Sequence, residues 1–220
     1  MKPYLLSLSV VIALASCKSA AWFDTPNDLE NINGTLYLSN GEEIVGKLSV
    51  DDGWNGVVRI NVPGEQKTRR YKFFDVKAYK MRNDYYELKE IKDGNALNRD
   101  FRLHFMRRLT PENSRIHLYE YLEQKTSHTG DRRSRTVTSL EKTYYVQLPS
   151  EKGDGVWDIG LSRLVPNFDE KMSKIVRDCP SLSQKIADKE KGYFYHQVGP
   201  NDEERMDVLW NIIEDYNKCR

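Results

Sequence analysis

The chain has little that announces chemistry. Its 220 residues hold four histidines and three cysteines. His104, His117, His128 and His196 stand singly, with no pair at the i, i+4 spacing that would put two metal ligands on one helix face. His104 and His117 fall in strand-like stretches and are expected to face solvent, a cross-strand zinc pair being the one metal arrangement left open. No Gly-x-Ser-x-Gly nucleophile elbow occurs. Gly153-Asp154-Gly155 is too short to cradle a phosphate and lacks the Lys-Ser/Thr helix start that should follow. No cofactor and no metal are therefore expected, and catalysis would need a site assembled from distant residues. Charge of one sign is lacking as well: 34 basic side chains stand against 33 acidic ones. Neutralising many phosphates takes a basic surplus, so nucleic acid is excluded as a partner. After residue 17 no apolar run approaches the roughly 20 residues of a membrane-spanning helix.

The N-terminus is more informative. Lys2 precedes an apolar run from Tyr4 to Ala15, interrupted only by Ser7 and Ser9. The run is too short to span a bilayer, which makes a cleaved signal the better reading. It closes on Leu14-Ala15-Ser16-Cys17. This stretch resembles the lipobox of bacterial lipoproteins. The resemblance implies that residues 1–16 are a signal peptide and that Cys17 becomes the first residue of the mature chain. Cys17 would then carry a thioether-linked diacylglyceryl group and a palmitate-type acyl chain on its amine. One acyl chain holds a protein to a membrane only marginally, whereas two or three make attachment persistent. Lys18, where Asp would signal inner-membrane retention in enterobacterial sorting, implies the outer membrane. The competing reading is an ordinary secretory signal cut after Ala13-Leu14-Ala15.

Two cysteines then remain. Cys179 and Cys219, in an oxidising compartment, form either a disulfide or two independent small residues. Residues 17–32 are polar, contain Pro26, lack periodicity and read as a tether. Trp22 and Phe23 are its exceptions, resting either at the lipid interface or on the domain.

From Gly34 the pattern is β. Thr35–Leu38 lead into Ser39-Asn40-Gly41, and Ile44–Val50 return. Asn-Gly predicts a tight hairpin in which both residues accept positive φ. Gly46 in the return strand predicts a bulge or bend. Short strands follow at Val57–Val62, Arg70–Phe74, Val76–Met81 and Tyr85–Leu88, separated by turn residues. Longer ones lie around Phe101–Met106, Ile116–Tyr121 and Tyr144–Leu148. Ser127–Arg135 has no apolar residue and reads as an exposed hairpin tip. After Pro166 the period turns helical. Phe168, Met172, Ile175 and Val176 form one segment, with Asn167 as its expected cap. A second starts at Pro180 or Ser181, carries Leu182 and Ile186, and is expected to end at Gly192. A third runs from about Asp202 to Asn217, capped by Asn201, with Met206, Leu209, Trp210, Ile213 and Tyr216 on its core face. The fold class is α+β: an antiparallel β meander or barrel-like domain over 33–160, with about three helices of 161–220 packed on it.

Several stretches together resemble a set of uncharacterised secreted proteins and lipoproteins of Bacteroidetes-type bacteria. They are the Gly34–Gly41 hairpin, Tyr71-Lys72-Phe73-Phe74-Asp75-Val76-Lys77, Leu118-Tyr119, Tyr144-Tyr145-Val146 and Asp178-Cys179-Pro180-Ser181-Leu182. These motifs are turns and core positions, so the resemblance carries over no catalytic residue.

Charge is unevenly spread along the chain. Residues 59–142 carry 20 basic and 12 acidic side chains, whereas 17–58 carry 2 and 7. Arg132, Arg133 and Arg135 concentrate the positive charge at the expected tip. They suit contact with an anionic envelope polymer or an acidic protein surface, or else form a solvated loop paired with Asp131 and Glu141. The expectation is a membrane-anchored envelope lipoprotein acting as a non-enzymatic structural or interaction module, partnered by the membrane through Cys17 and by envelope proteins or polymers. The alternative is a lipid-anchored envelope hydrolase with an unrecognised active site, which demands a deep pocket with convergent polar residues and perturbed ionisation.

Overall fold

The computed structural model describes residues 24–51, 56–92, 103–129, 135–149, 153–161 and 163–219. The Leu14–Cys17 motif with Cys17 itself, Trp22, Phe23, Arg132 and Arg133 lie outside the described residues, as does the side chain of Arg135. Among those described are β1 (Asp28–Leu38), β2 (Glu43–Asp51), β3 (Val57–Asn61), β4 (Arg69–Lys72), β5 (Val76–Met81), β6 (Asp84–Ile91), β7 (Leu103–Arg108), β8 (His117–Thr129), β9 (Arg135–Gln147) and β10 (Gly155–Asp158). Three helices follow: α1 (Phe168–Ile175), α2 (Pro180–Ala187) and α3 (Asp202–Lys218). The class is α+β, as the patterning predicts.

The strands form one sheet in the order β4-β3-β2-β1-β5-β6-β7-β8-β9-β10. Every neighbour is antiparallel until β10, which returns to pair with β6 in parallel through Gly155↔Glu90 and Val156↔Ile91. Strands β6 to β10 thereby close into a five-stranded ring, and β1 to β5 continue from it as a curled extension. Strand period divides the ring's residues between two faces. The inner face carries Met106, Tyr119, Tyr121, Tyr145 and Val156. The outer face is split between two cores. Leu88, Leu103 and Phe105 join Leu36, Leu48, Ile60 and Tyr79 of the extension. Leu118, Val146 and Leu148 pack under the helices against Phe168, Met172, Leu209 and Ile213.

Several expectations need correction. The chain enters the sheet at Asp28, so 28–32 are strand rather than tether. The Asn27 side chain acts as a surrogate strand: its Nδ2 donates to Phe105 O at 3.1 Å and its Oδ1 accepts from Phe105 N at 2.7 Å. Tyr79 OH donates to Pro26 O at 2.7 Å. These are polar contacts across 53 to 78 residues of sequence, and no local periodicity betrays them. The first hairpin turns through Ser39-Asn40-Gly41, with Gly41 at φ 90° and Asn40 Oδ1 accepting from Glu42 N, so only the glycine takes positive φ. Gly46 marks no bulge. It lies opposite Gly34 in continuous register, and a Cβ on it would strike Asn61 O of β3, so the glycine serves close approach of neighbouring backbone. The register shift falls between Leu29 and Ile32, where Asn31 sits at φ 56° and donates its N–H to Ser49 Oγ.

The expected tip at 127–135 is partly ladder. β8 and β9 pair from His117↔Gln147 to Thr129↔Arg135, because backbone pairing by β-branched Thr126, Thr136, Val137 and Thr138 needs no apolar alternation. Asn167 stands at the N-cap of α1 as expected, its carbonyl accepting from Lys171 N, but it is left-handed, at φ 64°, and its side chain makes no cap bond. Asn201 does cap α3, accepting from Glu204 N at 2.9 Å. α2 ends at Ala187 and Asp188, before Gly192. On α3, Ile212 is in the core, while Trp210 is only partly buried.

Cys179 and Cys219 are joined by a disulfide with Cα atoms 5.8 Å apart, tying the start of α2 to the end of α3. Their separation of 40 residues makes the crosslink worth about 3–4 kcal/mol in loop entropy. Beside it Arg115 stacks on the Tyr216 ring at 3.5 Å, pairs with Asp178 and donates to the last carbonyls of α3.

Two outcomes follow. Replacing Asn27 by Ala leaves both buried backbone groups of Phe105 without partners, and should cost about 1–3 kcal/mol for each, read as a lowered urea midpoint with unchanged slope. Thiol titration of the denatured, unreduced protein should find Cys179 and Cys219 blocked; two reactive thiols from these positions would eliminate the crosslink.

Candidate functional site

Two places on the ring gather functional side chains. The first is its interior. Directly paired residues of adjacent strands share a face, and the pairs Lys89↔His104, Glu87↔Met106, Arg108↔Tyr119, Tyr119↔Tyr145 and His117↔Gln147 line the inside. The Glu87 carboxylate is its hub. It pairs with Lys89 Nζ at 2.9 Å and Arg108 at 2.6 Å, and accepts from Tyr119 OH at 2.7 Å. Lys89 Nζ also donates to Gln147 Oε1 at 3.2 Å, lies 4.9 Å over the Tyr119 ring, and has Asp154 at 3.7 Å. Glu87 and Asp154 balance Lys89 and Arg108 in charge.

Ionisation follows from these contacts. Burial acts to raise the Glu87 carboxyl, but the Lys89 ammonium, the hydrogen bonds from Lys89 and Tyr119, and Arg108 outweigh it and hold it below its ordinary 4.5. Burial, and then the Glu87 charge, push the Tyr119 phenol far up, so it stays a donor. His117 is lowered, chiefly by burial. Neither His104 nor His117 simply faces solvent, because each is half-buried against the ring's aromatics. His104 lies 4.9 Å from the Tyr121 ring, and His117 Nδ1 is 3.1 Å from Thr110 Oγ1. Among the described residues no group of three or more His, Cys, Asp or Glu is placed to hold a metal.

The second place is a groove on the outer face, along the seam between the two cores. Its centre is the pair Arg107 on β7 and Glu120 on β8, directly opposite in register and bonded at 2.9 Å. Asp84 lies 3.5 Å from Arg107, and Lys142 lies 3.5 Å from Glu120. Cavities open on both sides of this pair. One, of about 300 Å³, lies toward the extension, with Leu29, Ile32, Met81 and Leu122 as apolar floor and Arg82 and Lys142 at its rim. The other, of about 520 Å³, lies toward α3, between Leu109 and Tyr144 of the sheet side and Glu203, Met206, Asp207 and Trp210 of the helix. Neither reaches Glu87, Lys89, Arg108 or Tyr119.

Of the residues singled out in sequence, the structure unites Cys179 with Cys219 and starts β9 at Arg135. Arg107, Glu120, Lys142 and the Glu203–Asp207–Trp210 face carry no motif. The only available signal was the i, i+4, i+7 recurrence on α3, which places two carboxylates and an indole on one side of the helix. Comparison with known proteins returns no match among protein-family models, curated proteins or solved structures.

The interior cluster has a testable pH signature. The folded Glu87 pKa is depressed, so its contribution is complete above about pH 4.5 and is lost as pH falls through the lower folded value. Glu87→Gln strands Lys89 and Arg108, and should cost about 3–5 kcal/mol at pH 7. The deficit should shrink below pH 4 in paired urea titrations; a deficit constant from pH 7 to pH 3 would contradict the assignment.

Proposed function

We propose that the protein is a lipid-anchored module of the bacterial cell envelope, held at the outer membrane through Cys17, and that it works by binding rather than by catalysis. The binding half rests on one contrast. The polar cluster around Glu87 is neutralised within itself inside the ring, whereas the two-lobed groove on the outer face stays open. Glu87, the group placed most like an acid or base, already spends its oxygens on Lys89, Arg108 and Tyr119. Among the described residues the groove lining holds no serine, cysteine or histidine, and its central charges, Arg107 and Glu120, already pair with each other. That is the composition of a recognition surface.

The anchoring half rests on Leu14-Ala15-Ser16-Cys17. The described fold begins close behind it, since Thr25 and Asn27 are already buried. A seven-residue stretch from Cys17 to Phe23 would keep the domain near the bilayer. Among the described residues no helix is long and apolar enough to cross a membrane. A two- or three-chain lipid anchor would supply persistent attachment.

Partitioning in a cloud-point detergent tests the anchor. The native chain should enter the detergent phase and incorporate labelled palmitate, while Cys17→Ser should do neither. A Cys17→Ser protein that stays in the detergent phase sinks the anchor.

A further inference from the structure

The two lobes of the groove differ in sign. Apart from the shared Arg107–Glu120 pair, the lobe toward the extension has Arg82 and Lys142 against Asp24. The lobe toward α3 has Glu203 and Asp207 and, among the described residues, no cation of its own. All five of these side chains belong to exposed residues, so they border the groove without being consumed in a core. The negative lobe adds Trp210 and Tyr144, both partly buried, and an indole face is the best aromatic partner for a cation. The Arg107–Glu120 pair lies between the signs, and the aliphatic floor that includes Ile32, Met81 and Leu122 belongs to the positive lobe.

Building on the binding reading above, we infer that the groove takes an extended, dipolar peptide segment. A lysine- or arginine-type cation lies between Glu203 and Asp207 against Trp210, the backbone crosses the Arg107–Glu120 pair, an aliphatic side chain lies on the floor of the positive lobe, and a carboxylate lies toward Lys142 and Arg82 at its rim. Three features select this class. Opposite charge at each end fixes one direction of binding and rejects the reverse one. A uniformly charged polymer meets repulsion in one lobe whichever its sign. An oligosaccharide can stack on Trp210 and Tyr144, but it would bury hydroxyls against Ile32, Met81 and Leu122 without acceptors. A peptide with an apolar side chain at that point meets no such cost. The lobes, about 300 and 520 Å³, fall in the size range of ligand sites.

The test is binding of end-blocked peptides to the full lipidated chain in detergent micelles. The probes read Lys-Leu-Glu, Lys-Leu-Ala-Glu and Lys-Leu-Ala-Ala-Glu, acetylated and amidated so that only side chains carry charge. The best spacing should bind saturably and weaken as salt is raised. Norleucine for Lys, or Gln for Glu, should each weaken it about tenfold or more, the scale of one charge-assisted contact. Glu203→Gln with Asp207→Asn should erase discrimination at Lys while sparing discrimination at Glu. Arg82→Gln with Lys142→Gln should do the converse. These exposed positions let circular dichroism verify the fold of each variant.

Equal affinity for the charged and neutral peptides, or discrimination that survives its own pair of substitutions, overturns the inference. So does the absence of saturable binding. Saturable binding of an N-acetylglucosamine tetramer in place of the peptides also overturns it, yet leaves the binding reading standing. Detergent partitioning through Cys17 is independent of all these outcomes.

Discussion

The Glu87 carboxylate is the constraint around which the fold is arranged. Inside the five-stranded ring it is offered two cations and a phenol, Lys89, Arg108 and Tyr119. Charges removed from water are tolerated only when paired and hydrogen-bonded. The ring supplies those partners from three strands, and Gln147 of a fourth holds both Lys89 and Tyr119. Closure by β10 shields the cluster, and Asp154, just before β10, adds a balancing charge. The ring is therefore filled by a neutral polar network as well as by Met106, Tyr145 and Val156, and every strand must keep its register for the network to be satisfied.

β6 carries this arrangement outward. Glu87 and Lys89 point into the ring while Tyr86 and Leu88 point into the core of the extension. The same alternation on β8 and β9 turns Leu118 and Val146 toward the helices. One sheet face thus serves two separate cores. β7 and β8 are paired through Arg107↔Glu120 and Arg108↔Tyr119, and the outward members of those pairs are ionic rather than apolar. The groove is the place where the two cores fail to meet, and its central charges pair there, Glu120 buried and Arg107 half-buried. A binding surface there needs no lid, because its walls are already set by the sheet and by α3.

Much of the fold was legible because its signals are local. Turn residues at Asn40-Gly41, alternation through β2 and β5, and helical spacing at Phe168–Val176 depend on neighbours within a few positions. Asn201 before three acidic residues identified the start of α3 for the same reason. What escaped was polar and distant. Asn27 completes a ladder with Phe105, far away in sequence, and no pattern of hydrophobicity marks it. The short β10 carries only four residues and earns its place by pairing with β6. Trp210 fits the helical apolar stripe as well as Ile212 does; which of them enters the core depends on how α3 rotates against the sheet.

The sequence by itself determined the α+β class, most strand and helix positions, and the lack of any local catalytic or metal-binding motif. Each is a property of spacing along the chain, which hydrophobic burial and backbone geometry read directly. It also carries Leu14-Ala15-Ser16-Cys17, on which the proposed anchor rests. Tertiary structure alone decided the ring closure, the neutral lock around Glu87, the partnering of Cys179 with Cys219, and the oppositely charged lobes on either side of Arg107 and Glu120. Most of those depend on contacts between residues well separated along the chain, such as Glu87 with Tyr119, 32 positions apart, and Cys179 with Cys219, 40 apart. Such contacts act over a few ångströms in space, and their energy leaves no period in the sequence.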